Sequence, residues 1–263
     1  MSELDYYNEI EPYSAGWIRN LQQAGHIPVG CVDERSIVDV RAKDLQGVRQ
    51  AHFFAGIGGW PLALKLAGWP EDEQVWTGSC PCQPFSVAGG RKGTQDKRHL
   101  WPEFRRLIEE CNPAVIFGEQ VASKDGRVWL DGVHADLENL GYEVGGADLC
   151  AAGVGAPHVR QRLFWMGHSK SAGQLRKVKL ENCSLGADRR RPTNTRAASA
   201  GAAFWSSYEG LRCADGAIRR AEPGTFPLAY GVPGRVGKLR AYGNAIVPQV
   251  AAEFIKAYLE AGR

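Results

Sequence analysis

The chain has 263 residues, of which 44% are hydrophobic and 23% are charged, and this is the composition of a soluble globular protein with a substantial core. No apolar run approaches the roughly 20 residues that a membrane-spanning helix needs, and the acidic N-terminus lacks the basic and apolar regions of a signal peptide. The seven cysteines are an odd number and scattered, which argues against a secreted disulfide framework. We therefore expect a cytoplasmic protein without a membrane span.

Short apolar runs alternate with helical patterns along most of the chain. Helices are predicted at residues 15–24, 61–67, 101–111, 131–140 and 248–261, and strands at residues 52–54, 75–78, 114–117 and 163–166. The alternation predicts βαβ units and an α/β fold with a mostly parallel sheet. Ligands of such sheets bind beyond the carboxyl ends of the strands.

The net charge of +3 conceals an uneven distribution. Residues 170–240 contain 14 Lys and Arg against 5 Asp and Glu, whereas residues 1–169 contain 16 against 22. The regular pattern is also lost between residue 170 and about residue 222, which indicates an insertion or a small second domain. A basic segment of this kind is compatible with polyanion binding and equally with a solvated, flexible loop region.

Residues 54–59, Phe-Ala-Gly-Ile-Gly-Gly, follow a predicted strand and precede a predicted helix. Glycines at such a position let the backbone turn tightly and let a nucleotide-like ligand approach the main chain. Taken alone, this pattern fits an ordinary glycine-rich turn equally well.

Cys82 lies between two prolines, Pro81 and Pro84, in a loop after the strand at residues 75–78. A cysteine fixed in this way has few conformations to lose and is suited to nucleophilic attack, provided that its site favours the thiolate. The alternative is a metal or redox pair formed by Cys80 and Cys82. The sequence offers no second Cys/His pair with zinc spacing to complete such a site.

Three further groups of polar residues lie near predicted element ends. Glu119 comes just after the strand at residues 114–117, where a partly dry pocket can hold a carboxyl group protonated as a general acid; a solvated surface Glu is the alternative. Strand alternation would put Arg160 and Arg162 on one face, suited to phosphate or carbonyl recognition. Asn244 lies in the turn before the last helix, which is otherwise simply a helix start.

Together and in this order, these five motifs resemble those of the DNA (cytosine-5)-methyltransferase family. The glycine turn matches its first motif, Pro81-Cys82-Gln83 matches its nucleophile motif, and Gly243-Asn244 matches its last motif. Two motifs differ by one residue, with Glu119-Gln120-Val121 standing for Glu-Asn-Val and His158-x-Arg160-x-Arg162 standing for Gln-x-Arg-x-Arg. The resemblance covers residues 50–168 and 235–252.

The resemblance also exposes a departure in motif order. The family has an acidic ribose-binding motif and an adenine-contacting Asp between the glycine turn and the nucleophile, but here only 20 residues separate Gly59 from Cys80. An acidic motif around Glu9, followed by a helix and then Asp33, looks like the missing part. We hypothesise a permuted chain in which Glu9 binds the ribose and Asp33 binds the adenine edge. The alternative is that residues 1–50 form an unrelated cap.

The resemblance implies a Rossmann-like S-adenosylmethionine-dependent methyltransferase sheet with a short, basic target-recognition insertion. Residues 1–168 would form the catalytic and cofactor-binding domain, residues 169–235 the target-recognition region, and residues 236–263 a segment returning to the catalytic domain. The implied activity is methyl transfer from S-adenosylmethionine to C5 of a flipped cytosine in duplex DNA, through a covalent bond between Cys82 and C6. A tRNA cytosine-5 methyltransferase and a non-catalytic nucleic-acid-binding relative are the alternatives.

The resemblance assigns roles to individual residues as well. The implied catalytic residues are Cys82, Glu119, Arg160 and Arg162. The implied cofactor-binding residues are Phe54, Ala55, Gly56, Ile57, Gly58, Gly59, Glu9, Ile10, Asp33, Pro81, Leu100, Asn244 and Ala245. The implied DNA-binding residues are Gln83, Ser86, Arg91, Lys92, Arg98, Arg189, Arg190 and Arg191. We expect a monomer that needs no metal and has duplex DNA, and a cognate restriction endonuclease, as partners.

Overall fold

A computed structural model of the chain describes residues 5–81, 100–171, 209–212, 218–221 and 242–261. Its helices are α1 (Pro12–Gln23), α2 (Gly59–Ala67), α3 (Trp101–Cys111), α4 (Lys124–Asn139) and α5 (Pro248–Ala261). Its strands are β1 (Asp5–Asn8), β2 (Gly30–Asp33), β3 (Gln50–Phe53), β4 (Val75–Gly78), β5 (Val115–Val121), β6 (Tyr142–Cys150), β7 (Gln161–Ser169), β8 (Glu209–Arg212) and β9 (Ile218–Ala221).

Seven strands form one sheet in the order β2-β1-β3-β4-β5-β7-β6. The first five are parallel, and β7 runs antiparallel to both β5 and β6. The predicted α/β fold with a mostly parallel sheet is therefore confirmed. The strands β8 and β9 pair with each other as a separate antiparallel hairpin.

The sheet order departs from the chain order at both ends, with β2-β1 at one end and β7-β6 at the other, and the end that contains β1 comes before the glycine turn in the chain. The first strand, β1, pairs with both β2 and β3, so the N-terminal segment extends the sheet rather than covering it. From β3 the chain passes through the glycine turn into α2 and returns as β4, which pairs directly with β3. This direct passage to a neighbouring strand is the connection that the permutation hypothesis predicts.

Two apolar layers bury the sheet. The helices α2 and α5 pack over one side through Trp60, Leu64 and Ile255, whereas α3 and α4 contribute Phe104 and Leu137 to the other. All five of these side chains are almost completely buried. Burial of such aromatic and aliphatic groups is the main stabilising contribution to a domain of this size.

Several element boundaries differ from the sequence-based prediction. Helix α1 begins at Pro12 rather than residue 15, because the Glu11 side chain accepts a hydrogen bond from the Ser14 backbone and caps the first turn. Helix α4 begins at Lys124 rather than residue 131, with Ser123 as its cap. Strand β5 continues to Val121, so Glu119 lies within a strand and not after it.

Candidate active site

A cavity of about 550 Å³ lies beyond the carboxyl ends of the parallel strands. Residues that follow or end β1, β3, β4 and β5 line it, because parallel strands present their carboxyl ends at the same edge of a sheet. The turn before α5 contributes a further wall. The motifs identified in the sequence therefore converge on this one cavity.

The N-terminal acidic motif contacts the glycine turn. One carboxylate oxygen of Glu9 accepts a hydrogen bond from the Gly56 backbone at 2.7 Å, and the other accepts one from the Glu11 backbone at 2.9 Å. Burial raises the pKa of Glu9, while the two N–H donors act in the opposite direction. Glu9 and Gly56 are 47 residues apart in the chain, and their contact meets the geometric condition that the permutation hypothesis sets.

The glycine turn has left-handed backbone at three positions. The φ angles are 53° at Phe54, 57° at Gly56 and 81° at Gly58. A Cβ at Gly56 would meet nothing within 4 Å, so this glycine leaves open space beside the cavity, whereas a Cβ at Gly59 would lie 2.7 Å from the Ile246 side chain. Gly56 therefore exposes backbone to the cavity, and Gly59 permits α2 to pack against the C-terminal segment.

The predicted cofactor residues divide into two groups. Those that line the cavity are Glu9, Ile10, Phe54, Gly56, Pro81, Leu100, Asn244 and Ala245. Those that do not are Ala55, Ile57, Gly58, Gly59 and Asp33. For most of the second group the turn conformation or close packing gives a structural reason for the residue type.

Asp33 was predicted to bind the adenine edge, but its surroundings in the structure differ from that prediction. Burial opposes its ionisation, but hydrogen bonds from Arg35 and from the Tyr6 hydroxyl, which lies 2.6 Å away, outweigh burial and lower the pKa of Asp33. Its carboxylate is thus already engaged and does not line the cavity. Ser36 and Ile37, which the sequence analysis did not single out, occupy the cavity wall instead.

Glu119 and Arg162 form a largely buried ion pair. The Arg162 Nε lies 2.8 Å from a carboxylate oxygen of Glu119, and only 7% of Glu119 is exposed. Burial raises the pKa of Glu119, and the positive charges of Arg162 and Arg160 together with the Ser79 hydroxyl act against this rise. A carboxyl group whose pKa is raised in this way can carry a proton closer to neutral pH, as a general acid must.

Arg160 holds the turn that carries Asn244. Its Nη2 donates hydrogen bonds to the backbone carbonyls of Gly243 at 3.0 Å and Ala245 at 2.8 Å. Burial lowers the pKa of Arg160, with Arg162 adding to the effect. Arg160 and Arg162 both line the cavity, but they have different partners. Arg162 pairs with the buried carboxylate, and Arg160 fixes backbone.

The loop that contains Cys82 begins at the cavity, where Cys80 and Pro81 line the wall. Burial raises the pKa of the Cys80 thiol strongly, so Cys80 is poorly suited to act as a thiolate nucleophile or metal ligand. The Gln120 amide, at the position where the family has Asn, donates to the Cys80 carbonyl at 3.4 Å. The predicted residues that lie outside the described part of the chain are Cys82, Gln83, Ser86, Arg91, Lys92, Arg98, Arg189, Arg190 and Arg191.

The described residues offer neither a metal-binding cluster nor a membrane-spanning helix. Within the ranges given above, no three or more His, Cys, Asp or Glu side chains are grouped so that they could hold a metal ion. None of the helices in that part of the chain combines the length and the apolar character needed to cross a membrane.

Comparison with known sequences identifies relatives of part of the chain. Residues 69–196 match the family model for C-5 cytosine-specific DNA methylase. The Type II methyltransferase M.HhaI of Haemophilus parahaemolyticus is 29% identical over 49% of this chain and 51% of that protein. The Type II methyltransferase M.AplI of Arthrospira platensis is 38% identical over 42% of this chain and 43% of that protein. The chain thus matches about half the length, or less, of these relatives.

Among solved structures, the Dnmt2 methyltransferase of S. pombe superposes on the whole chain with a TM-score of 0.51. The alignment covers 98% of this chain and 99% of that protein at 14% sequence identity. At so low an identity the similarity shows a shared fold and not a shared substrate. The seven-stranded sheet accordingly has the fold of that methyltransferase.

Proposed function

We propose that this chain is a C-5 cytosine-specific DNA methylase and that it transfers a methyl group from S-adenosylmethionine to C5 of cytosine in duplex DNA. The observation that carries the proposal is the convergence of Glu9, Gly56, Glu119, Arg162 and Asn244 on one cavity. These residues come from five separate parts of the chain, and a purely structural role for each would not require a shared cavity.

The wall formed by β1, the glycine turn and the segment after β2 fits the cofactor. Glu9 presents a half-buried carboxylate that can accept hydrogen bonds from ribose hydroxyls, and Gly56 leaves room for close approach to the backbone. Ile10 is 64% exposed although it is apolar, and together with Ile37 it offers a surface for a flat base. Bound S-adenosylmethionine would supply an electron-poor methyl carbon.

The opposite wall would act on the cytosine. A base within a duplex is unreachable, so the target must be flipped into the cavity. The Cys82 thiolate would form a bond to C6 while Glu119 gives a proton to N3 and Arg162 holds O2. The electron pair displaced from the C5–C6 double bond would make C5 nucleophilic, so that C5 could take the methyl group and S-adenosylhomocysteine would be the leaving group. A base would then remove the C5 proton, the double bond would re-form with loss of the Cys82 thiolate, and N3 would return its proton to Glu119.

The proposal includes a permuted chain. In it, residues 1–168 form the catalytic domain, with the ribose-binding and adenine-binding units preceding the glycine turn, and residues 236–263 return to complete the cofactor wall. Supporting this order, β1 lies between β2 and β3 in the sheet, and Arg160 ties the Asn244 turn to the body. The basic residues 169–235 would bind DNA phosphates, so that affinity falls steeply with added salt. A restriction endonuclease would be the functional partner of such a methylase.

The test is incorporation of methyl label from S-adenosylmethionine into duplex DNA and, separately, into tRNA. We expect labelled 5-methylcytosine in DNA, its loss in Cys82→Ala, and wild-type incorporation in the control Cys31→Ala, which alters an exposed cysteine outside the cavity. Labelling by Cys82→Ala would refute the nucleophile. Labelling of tRNA but not of DNA would refute the proposed substrate.

A further inference from the structure

We propose that Ser79 is a positioning residue that directs its single hydroxyl proton to Glu119, held in this orientation by the buried indole of Trp60. The inference deepens the proposed function and rests on it. It concerns a contact that the five motifs do not include.

The protons that Trp60 and Ser79 can donate determine the orientation of the Ser79 hydroxyl. Trp60 lies in the first turn of α2, is 2% exposed, and donates from Nε1 to the Ser79 Oγ at 3.0 Å. An indole N–H can only donate, so the Ser79 oxygen must act as the acceptor in this contact. A serine hydroxyl has one proton of its own, and that proton is then available to a different acceptor.

The register of the sheet places that acceptor. Gly78 at the end of β4 pairs with Gly118 in β5, so that Ser79 and Glu119 are the next residues on two adjacent parallel strands. Both side chains line the cavity. With its oxygen engaged by Trp60 and its position beside Glu119 in the register, the Ser79 hydroxyl can donate its proton to the Glu119 carboxylate, and such a donor favours the ionised form.

Other charged and titratable groups surround the carboxyl group. Arg162 in β7 and Arg160 before that strand act on Glu119 directly, and both favour the carboxylate. Cys80, Glu9 and Glu11 line the same cavity, the two glutamates from the β1 side. Ser79 is therefore a neutral donor that fixes the carboxyl group without adding a charge. It also moderates the rise in pKa that burial alone would produce.

The contact has a definite consequence for pH dependence. In the proposed mechanism Glu119 must carry a proton when the cytosine arrives, so the rate falls as pH rises through the pKa of Glu119. Removing a donor to the carboxylate disfavours the ionised form and raises this pKa. Ser79→Ala should therefore keep its activity to a higher pH than the wild type, whereas Ser79→Thr, which keeps the hydroxyl, should follow the wild type.

The experiment is a carbon-13 NMR titration of the full chain labelled at glutamate side-chain carboxyl carbons, with the Glu119 signal assigned by its loss in Glu119→Gln. We expect the Glu119 titration to move to higher pH in Ser79→Ala, to move less in Trp60→Phe, and to stay in place in Ser79→Thr. An unchanged titration in Ser79→Ala would overturn the inference, as would an equal displacement in Ser79→Thr.

This titration does not require turnover, so it separates the two proposals. A displaced Glu119 titration in a chain that methylates no nucleic acid would uphold the contact and reject the function. Methyl transfer with a titration that does not respond to Ser79→Ala would uphold the function and reject the contact. The alkaline limb of the rate profile, measured with duplex DNA, should move in the same direction as the NMR titration.

Discussion

The two carboxylates of the cavity, the half-buried Glu9 and the buried Glu119, have different hydrogen-bond partners. Burial raises the pKa of both. Glu9 accepts hydrogen bonds from two backbone N–H groups, whereas Glu119 is paired with the side chain of Arg162. Backbone donors are fixed by the fold, but a side-chain partner can rearrange when a substrate enters. We infer from this difference that Glu9 binds the cofactor and that Glu119 takes part in the chemistry.

Substitution of Glu119 should have the largest effect on turnover. Glu119→Gln keeps the size of the side chain but cannot give a carboxyl proton, and loss of a general acid lowers the rate by about 10² to 10⁴-fold. Binding of S-adenosylmethionine should change little, because Glu119 lies on the other wall. Single-turnover labelling and calorimetric titration of the cofactor measure the two effects separately. Equal losses of turnover and of cofactor affinity in Glu119→Gln would contradict the distinction between the two carboxylates.

Substitution of Glu9 should show the opposite pattern. Glu9→Gln replaces one acceptor oxygen by an NH₂ group facing backbone donors, and losing a hydrogen bond to a charged group costs about 1.5–3 kcal/mol, or about 10 to 100-fold in affinity for the cofactor. The rate at saturating cofactor should stay near that of the wild type. Glu34→Gln is the matched control, since Glu34 pairs with Arg19 on the surface. A large loss of rate with unchanged affinity would contradict the assignment.

Substitution of Arg160 should also lower the affinity for the cofactor, but by less than substitution of Glu9 does. Arg160→Met keeps the apolar stem but removes both donors to the Gly243 and Ala245 carbonyls, so the turn that carries Asn244 loosens. Only part of the energy of these two hydrogen bonds should be passed on to the cofactor, and a loss of about 1 kcal/mol, the value of one typical hydrogen bond, would lower its affinity about fivefold. Arg127→Met, which breaks an exposed pair with Asp148, is the control. A catalytic role would instead appear as a lower rate at saturating cofactor.

The sequence predicted much of the fold because its signals were local. The strand patterns identified β3, β4 and β5 in the parallel part of the sheet and the antiparallel β7, but not β1 or β2, and helix α3 begins and ends as predicted. Strand β6 was not predicted, since glycines at 145 and 146 interrupt its alternation and much of it is solvent-exposed. The early starts of α1 and α4 depend on the caps Glu11 and Ser123, which pattern analysis overlooked.

Site residues could be predicted where the number of residues between two motifs pointed to them. They could not be predicted where their role depends on how side chains are placed in the fold. The gap of only 20 residues after Gly59 was enough to point to Glu9, and Glu9 contacts Gly56. Asp33 could not be judged in this way, because its hydrogen bond from Tyr6, which is 27 residues away in the chain, depends on the fold. The contact between Trp60 and Ser79 likewise joins a helix and a strand end, and no local pattern reports it.

Covalent capture of Cys82 would test the proposed chemistry most directly. A duplex with 5-fluorocytosine has fluorine in place of the C5 proton, so the final elimination is blocked and the bond between sulfur and C6 should persist after methyl transfer. Mass spectrometry of the digested product should then find the modified nucleotide on the peptide that contains Cys82, and only when S-adenosylmethionine was present. An adduct on a different residue, or none while ordinary duplex DNA is still methylated, would contradict the mechanism.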